Sequence, residues 1–148
     1  MNEITIVSMG EQHVSAVAEL EKLCFSDPWS EKSVRDELSN PLSLWLVALA
    51  GEKVVGYIGS QTAADESDMM NLAVLPEFRR DKIGSRLVDE LISLLKQQGS
   101  QALFLEVRES NHSAIGLYEK MGFAVVGVRP NYYFHPKENA IIMRKELK

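Results

Sequence analysis

The stretch that most narrows the fold runs from Glu66 to Arg108: an extended segment, a basic connection, a helix and a second strand. "ESDMMNLAVLP" reads as a strand and Pro76 ends it. In "IGSRLVDELISLLKQQG", Ile83, Leu87, Leu91 and Leu94 recur on one helical face, and Gly99 suits a C-terminal cap. "ALFLEVR" is short, and apolar enough to lie in the middle of a sheet. A helix flanked by two strands predicts an α/β architecture, and the remaining segments are read around that unit.

Upstream, "ITIVSM" reads as a first strand. In "EQHVSAVAELEKLCF", Val14, Val17, Leu20 and Cys24 fall at helical spacing. "SDPWSEKSVRDELSNP" predicts a short helix with Ser30 as N-cap and Asn40-Pro41 as its stop. "LSLWLVALA" and "KVVGYIGSQTA" form a hairpin across Gly51-Glu52. Downstream, "HSAIGLYEKMG" is a helix closed by Gly122. "FAVVGVRP" and "NAIIMRKEL" are the last strands, around a polar, aromatic loop, "NYYFHPKE". The order β-α-α-β-β-β-α-β-α-β-β predicts one mixed sheet of about seven strands flanked by about four helices. With no repeat, linker or low-complexity tract, residues 1–148 are expected to form one domain.

Composition excludes several functions. A chain of 148 residues can bury roughly 70% of its unfolded surface. A net charge of -5 and pI near 5.2 argue against a protein that coats nucleic acid. Cys24 is the only cysteine, so no internal disulfide forms. His13, His112 and His135 show no metal-ligand spacing; no metal is expected, and the three are read as surface or packing residues. "LWLVALA" is too short to span a bilayer, and "MNEITIVSMGEQ" lacks the basic start of a signal peptide. A cytoplasmic monomer without nucleic-acid or membrane partners is the expectation.

Two groups of residues carry chemistry. Around "FRRDKIG", Arg79, Arg80, Lys82 and Arg86 stand against Glu77 and Asp81, a local charge of +2 at the start of a helix. Free amides and the helix dipole there attract anions, so the segment reads either as a diphosphate cradle or as a solvated basic turn. No P-loop or GxGxxG pattern is present. In "FLEVRESNHSAIGLYEKMGF", Glu106 shares a strand face with Phe104 and Arg108, opposite Leu103, Leu105 and Val107. A partly desolvated carboxylate there makes a base near neutral pH, unless it is held in an ion pair. Tyr118 follows with Ile115 and Met121 at helical spacing, which also suits a core tyrosine.

Taken together these segments resemble the GNAT superfamily of acetyl-CoA-dependent N-acetyltransferases. "NLAVLPEFRRDKIGSRLVDEL" is similar to its cofactor motif, [Q/R]-x-x-G-x-[G/A] between strand and helix, and "LFLEVRESNHSAIGLYEKMGF" to its second half. "DPWSEKS" and the late "RPNYY" resemble more narrowly its bacterial branch that acetylates the N-terminal alanine of a small-subunit ribosomal protein.

The resemblance implies that the backbone of Leu72, Ala73 and Val74 binds the pantetheine arm. It implies that Arg79, Arg80, Asp81, Lys82, Ile83, Gly84 and Ser85 wrap the diphosphate, and that Asn111 bonds the cofactor near its sulfur. Glu106 becomes the general base, Tyr118 the general acid, and Trp29, Asn131, Tyr132 and Tyr133 the acceptor channel, although Trp29 also suits a staple beneath a helix start. Transfer is then direct, since Cys24 on an apolar helix face makes a poor acyl-enzyme nucleophile. Lys82 departs from the pattern by replacing the first motif glycine; a helical φ there, with the side chain outward, is the expectation. The rival readings are an enzyme of the same fold acting on a lysine side chain, a polyamine or a small molecule, and a non-catalytic acyl-CoA-binding module.

Overall fold

The computed structural model describes residues 3–148, and the backbone alone at Arg80. Strands β1 (Ile4–Ser8), β2 (Ser43–Ala50), β3 (Lys53–Ala63), β4 (Glu66–Val74), β5 (Ala102–Arg108), β6 (Ala124–Phe134) and β7 (Lys137–Glu146) form one sheet, ordered β1-β2-β3-β4-β5-β7-β6. Four α-helices flank it: α1 (Val14–Cys24), α2 (Glu31–Asp36), α3 (Ile83–Gln97) and α4 (His112–Lys120). The expected mixed α/β sheet is the observed one.

Alternation along the strands divides the interior into two cores. Leu46, Ile58, Val74, Leu103 and Leu105 face α3 and α4, meeting Ile83, Leu87, Leu91 and Tyr118. Trp45, Val47, Tyr57 and Ala73 face α1 and α2, meeting Val14, Val17, Leu20 and Val34. All pairs are antiparallel except β4 with β5, which α3 joins and therefore makes parallel.

That pair is brief: Glu66, Ser67 and Asp68 match Ala102, Leu103 and Phe104, and there the ladder stops. Immediately beyond, β4 carries a bulge against β3, with Gly59 opposite Asn71 and Ser60 opposite Met69, leaving Met70 as the extra residue. A bulge bends its strand and raises its twist. Gly59 sits beneath Trp45, where a Cβ would lie 2.4 Å from the indole.

The helix ends follow local chemistry. Ser30 accepts the Ser33 N–H at 3.0 Å and starts α2. α3 closes on Gly99 (φ +91°), with Ser100 N–H reaching Leu95 O at 2.9 Å. α4 closes likewise on Gly122 (φ +97°), with Phe123 N–H on Tyr118 O at 2.9 Å. The apolar contact such a cap favours is the edge-to-face pair of Phe123 and Tyr118, centroids 5.6 Å apart. The glycine cap thereby fixes the tyrosine ring.

Glu21 is fully buried. It lies on the helical stripe of Val14, Val17 and Cys24, where an apolar residue is the norm. Its carboxylate accepts the Trp29 N–H (2.8 Å), the Asn71 amide (2.7 Å) and the Tyr57 hydroxyl. One side chain therefore ties α1, the following loop, β3 and the β4 bulge together. Burial and the neighbouring carboxylate push the Tyr57 phenol up, so it stays the donor.

Two expectations are corrected. Residues Asn131, Tyr132 and Tyr133 belong to β6, which resumes pairing at Tyr133 after an irregularity beyond Arg129; the loop between the last strands is only 135–136. Lys82 does not have helical φ. A 3-10 helix, Pro76–Asp81, fills the segment before α3, and the chain leaves it through Lys82 at φ +59°, ψ +27°. That left-handed conformation is the one a glycine takes freely, while the exposed side chain does point outward.

Lys82→Gly is expected to raise unfolding free energy in urea by up to about 1 kcal/mol, relief of left-handed strain outweighing added chain entropy. Glu21→Ala leaves one buried and two partly buried donors without their acceptor, and a loss of about 3 kcal/mol is expected in the same titration. A Glu21→Ala midpoint equal to that of the parent would show that this hub is dispensable.

Candidate active site

Beyond Asp68 and Phe104 the edges of β4 and β5 diverge into a slot. Leu75 donates its N–H to Val55 O of β3 at 2.8 Å. Bonding alternates in an antiparallel pair, so Ala73 also faces β3, whereas Leu72 and Val74 turn their N–H and C=O into the slot. The Val74 carbonyl accepts Arg79 Nε at 3.1 Å, and Arg79 Nη2 reaches Cys24 Sγ at 3.6 Å. The Arg79 side chain thus folds back against the strand end.

The slot points at the start of α3. Ile83 is fully buried there, Gly84 and Ser85 half-buried, and Asp81 and Lys82 exposed. Helix geometry leaves the first-turn amides without intrahelical partners, and Lys82 supplies no side-chain cap. This end of α3 offers open N–H groups and the positive end of a helix dipole.

Tyr118 and Glu106 sit on opposite faces of the sheet. Tyr118, on α4, is buried among Leu105, Val107 and Phe123, and its hydroxyl reaches across to Met69 Sδ of β4 at 4.0 Å. Burial, helped by Tyr133, pushes its phenol up to about 12. Asn111 starts α4, its Oδ1 accepting the Ala114 N–H at 3.2 Å, so its Nδ2 is the group free to donate elsewhere.

Glu106 opens on the other face, between buried Leu105 and Val107, with a 30% exposed side chain. Tyr132 and Tyr133 stand edge to face beside it, centroids 5.1 Å apart. Burial and then the Glu106 carboxylate push the Tyr133 phenol up to about 12. Arg108 lies over the Tyr133 ring at 4.2 Å and donates to Pro136 O at 2.8 Å. Asn131, at φ +54°, gives its N–H to Asn139 Oδ1 at 2.9 Å.

Trp29 lies edge-on to Trp45 at 5.4 Å and is half-buried. Its loop meets the β6–β7 turn: Ser26 Oγ donates to His135 O at 2.8 Å, and Asp27 lies 3.0 Å from His135 Nδ1. The loop after α1 and the end of β6 thus close a frame beside Glu106.

Sequence reasoning missed two contributors. Asn71, on the bulge, is held by Glu21; the signal was a glutamate on an apolar helical stripe. Arg129 Nε lies 2.8 Å from Glu106 Oε2, yet that buried oxygen receives no hydrogen bond among the described residues: the charges touch, but the N–H is not aimed along the contact. No local pattern reveals this pair, because β7 separates the two strands. A groove of about 880 Å³ between α1 and the β2–β3 turn, lined by His13, Leu20, Leu49 and Lys53, contains none of the residues named above as site candidates. Among the described residues no cluster suits a metal ion, and no helix is long and apolar enough to cross a membrane.

The acetyltransferase (GNAT) family model matches residues 14–123. A [ribosomal protein bS18]-alanine N-acetyltransferase of Haemophilus influenzae is 39% identical over 84% of this chain and 86% of that protein. Its Salmonella typhimurium counterpart is 37% identical over 97% and 96%. The crystal structure of the ribosomal-protein-S18-alanine N-acetyltransferase from Escherichia coli superposes with TM-score 0.91 at 33% identity, over 99% of this chain and 95% of that one. On the extent of the family match and of these identities, the chain belongs to the GNAT family of acetyltransferases.

Proposed function

We propose that the protein transfers the acetyl group of acetyl-CoA to the N-terminal α-amine of a small-subunit ribosomal protein that begins with alanine. Residues 1–148 act as one domain, in the cytoplasm. The observation that carries this reading is the slot between β4 and β5, with Glu106 on one face and Tyr118 on the other. The relatives named above, which act on ribosomal protein bS18, support the choice of acceptor.

The fit to the acetyl donor rests on two features. The open amides of Ile83, Gly84 and Ser85 suit a diphosphate, and the inward-turned N–H groups of Leu72 and Val74 suit the amides of an extended arm and the oxygen of a thioester. Ala73 gives its N–H to β3 and contributes spacing only. Asn111 Nδ2 donates near the sulfur end.

Glu106 takes a proton from the attacking amine on the acceptor face. The amine nitrogen bonds to the thioester carbonyl carbon, the carbon–sulfur bond breaks, and Tyr118 gives its proton to the departing thiolate on the far face. An α-amine has a pKa near 8, so a carboxylate base is strong enough. The thioester is already activated, leaving orientation and oxyanion stabilisation as the main contributions. Trp29, Asn131, Tyr132 and Tyr133 frame the first residues of the acceptor, aromatic faces and hydroxyls suiting an extended backbone.

Acetyl transfer to a peptide beginning Ala-Arg, compared with free lysine and polyamines, tests the reading, with mass spectrometry locating the acetyl group. Transfer mainly to an ε-nitrogen or a free amine would overturn it. Glu106→Gln is expected to lower kcat/KM about 10²-fold or more, and Tyr118→Phe to act on kcat with little change in KM. With pH, kcat/KM rises as the amine loses its proton near 8. It then holds level through pH 10, because Tyr118, pushed up to about 12, still carries the proton it must donate. A descending limb centred near 10, removed by Tyr118→Phe, would contradict the buried state of this phenol.

A further inference from the structure

Arg129 opens the "RPNYY" segment but has no role in the proposed chemistry, and it touches the proposed base. Its Nε is 2.8 Å from Glu106 Oε2, while its side chain remains 59% exposed against 30% for Glu106. The oxygen it faces is buried and accepts no aligned hydrogen bond. The guanidinium therefore supplies charge without a directed bond, from the solvent side of the face the acceptor would enter. Other anchors lie within reach when it leaves: its guanidinium carbon is 5.9 Å from the centre of the Tyr132 ring, and Asp68 feels its charge.

From this geometry we infer that Arg129 is a specificity-determining residue that stands in for the acceptor's cation at Glu106. An incoming α-amine is mostly an ammonium at pH 7. It must displace the guanidinium from Oε2, where its own N–H groups can point along the contact that Arg129 leaves unaligned. A chain end that is already acetylated brings neither the charge nor a free amine, so Arg129 swings to Tyr132 and Asp68 only when a free amine terminus arrives. The inference rests on the reading of Glu106 as the base that meets this amine.

The test is peptide binding in the presence of coenzyme A, which needs no turnover. A peptide with a free N-terminal alanine is titrated into the parent and Arg129→Gln proteins, and so is the same peptide already acetylated. Removing an exposed competitor of this kind is expected to tighten the free-amine peptide about two- to fivefold, and to leave the acetylated peptide unchanged. In a Glu106→Gln background the gain from Arg129→Gln disappears. Unchanged or weaker binding of the free-amine peptide, an equal gain for both peptides, or a gain that survives Glu106→Gln would each overturn the proposal. Turnover of Glu106→Gln alone, measured separately, judges the base assignment: full activity there removes that reading whatever the binding arms report.

Discussion

The parting of β4 from β5 is the constraint on which the site depends. After three residues of parallel pairing the two central strands separate, although both lie deep in the sheet. The bulge at Met70 falls immediately after the last pair, and a bulge bends the strand that contains it. Trp45 over Gly59 fills the α1 face at this level, and Glu21 holds the bulged Asn71 from the same side. The divergence is therefore supported by packing on one face and by a buried carboxylate network. Splitting a sheet at its centre leaves strand-edge groups without a β partner: the Val74 carbonyl takes the Arg79 guanidinium instead, and the Leu72 and Val74 N–H groups face the slot.

The alternation of side chains then separates the chemistry by face. Leu103, Leu105 and Val107 turn into the core shared with α3 and α4, so Glu106 between them must turn the other way. Tyr118 arrives from α4 on the core side, its ring locked against Phe123 by the glycine cap at Gly122. The two groups sit in different environments. The phenol is buried and pushed up, retaining its proton, whereas the carboxylate is partly wet and touched by a cation. With the proposed base on one face of the slot and the proposed acid on the other, the attacking amine and the departing thiolate would each meet their own proton-transfer group.

What could be read from the sequence was whatever is encoded within one element. The α3 stripe, the caps at Ser30, Gly99 and Gly122, the Gly51 hairpin and the outward face of Glu106 all follow from local period or turn chemistry. Register escaped it. The Arg129–Glu106 contact requires β7 between β5 and β6, and the Glu21 hub joins residues up to fifty positions apart. The extension of β6 through Tyr133 and Phe134 is hidden because its residues read as polar loop, while pairing of Tyr133 with Glu138 and of Phe134 with Lys137 makes it strand. Lys82 was misread for a related reason. Its φ is set by how a 3-10 helix must turn to enter α3, which no residue in "FRRDKIG" announces.

The left-handed lysine also bears on why the helix start can hold an anion. A good N-cap has extended backbone and a short oxygen-bearing side chain that takes up an amide of the first turn. Ser30 does this for α2 and Asn111 for α4. Lys82 has the wrong backbone and no acceptor atom, so the amides of α3 stay uncapped. About 1 kcal/mol of backbone strain thus accompanies a helix start that remains open. The slot edge at Leu72 and Val74, this helix start and the unaligned oxygen of Glu106 are three hydrogen-bonding deficits around one cleft. Each matches a different part of the proposed pair of substrates: thioester and arm, diphosphate, and incoming amine.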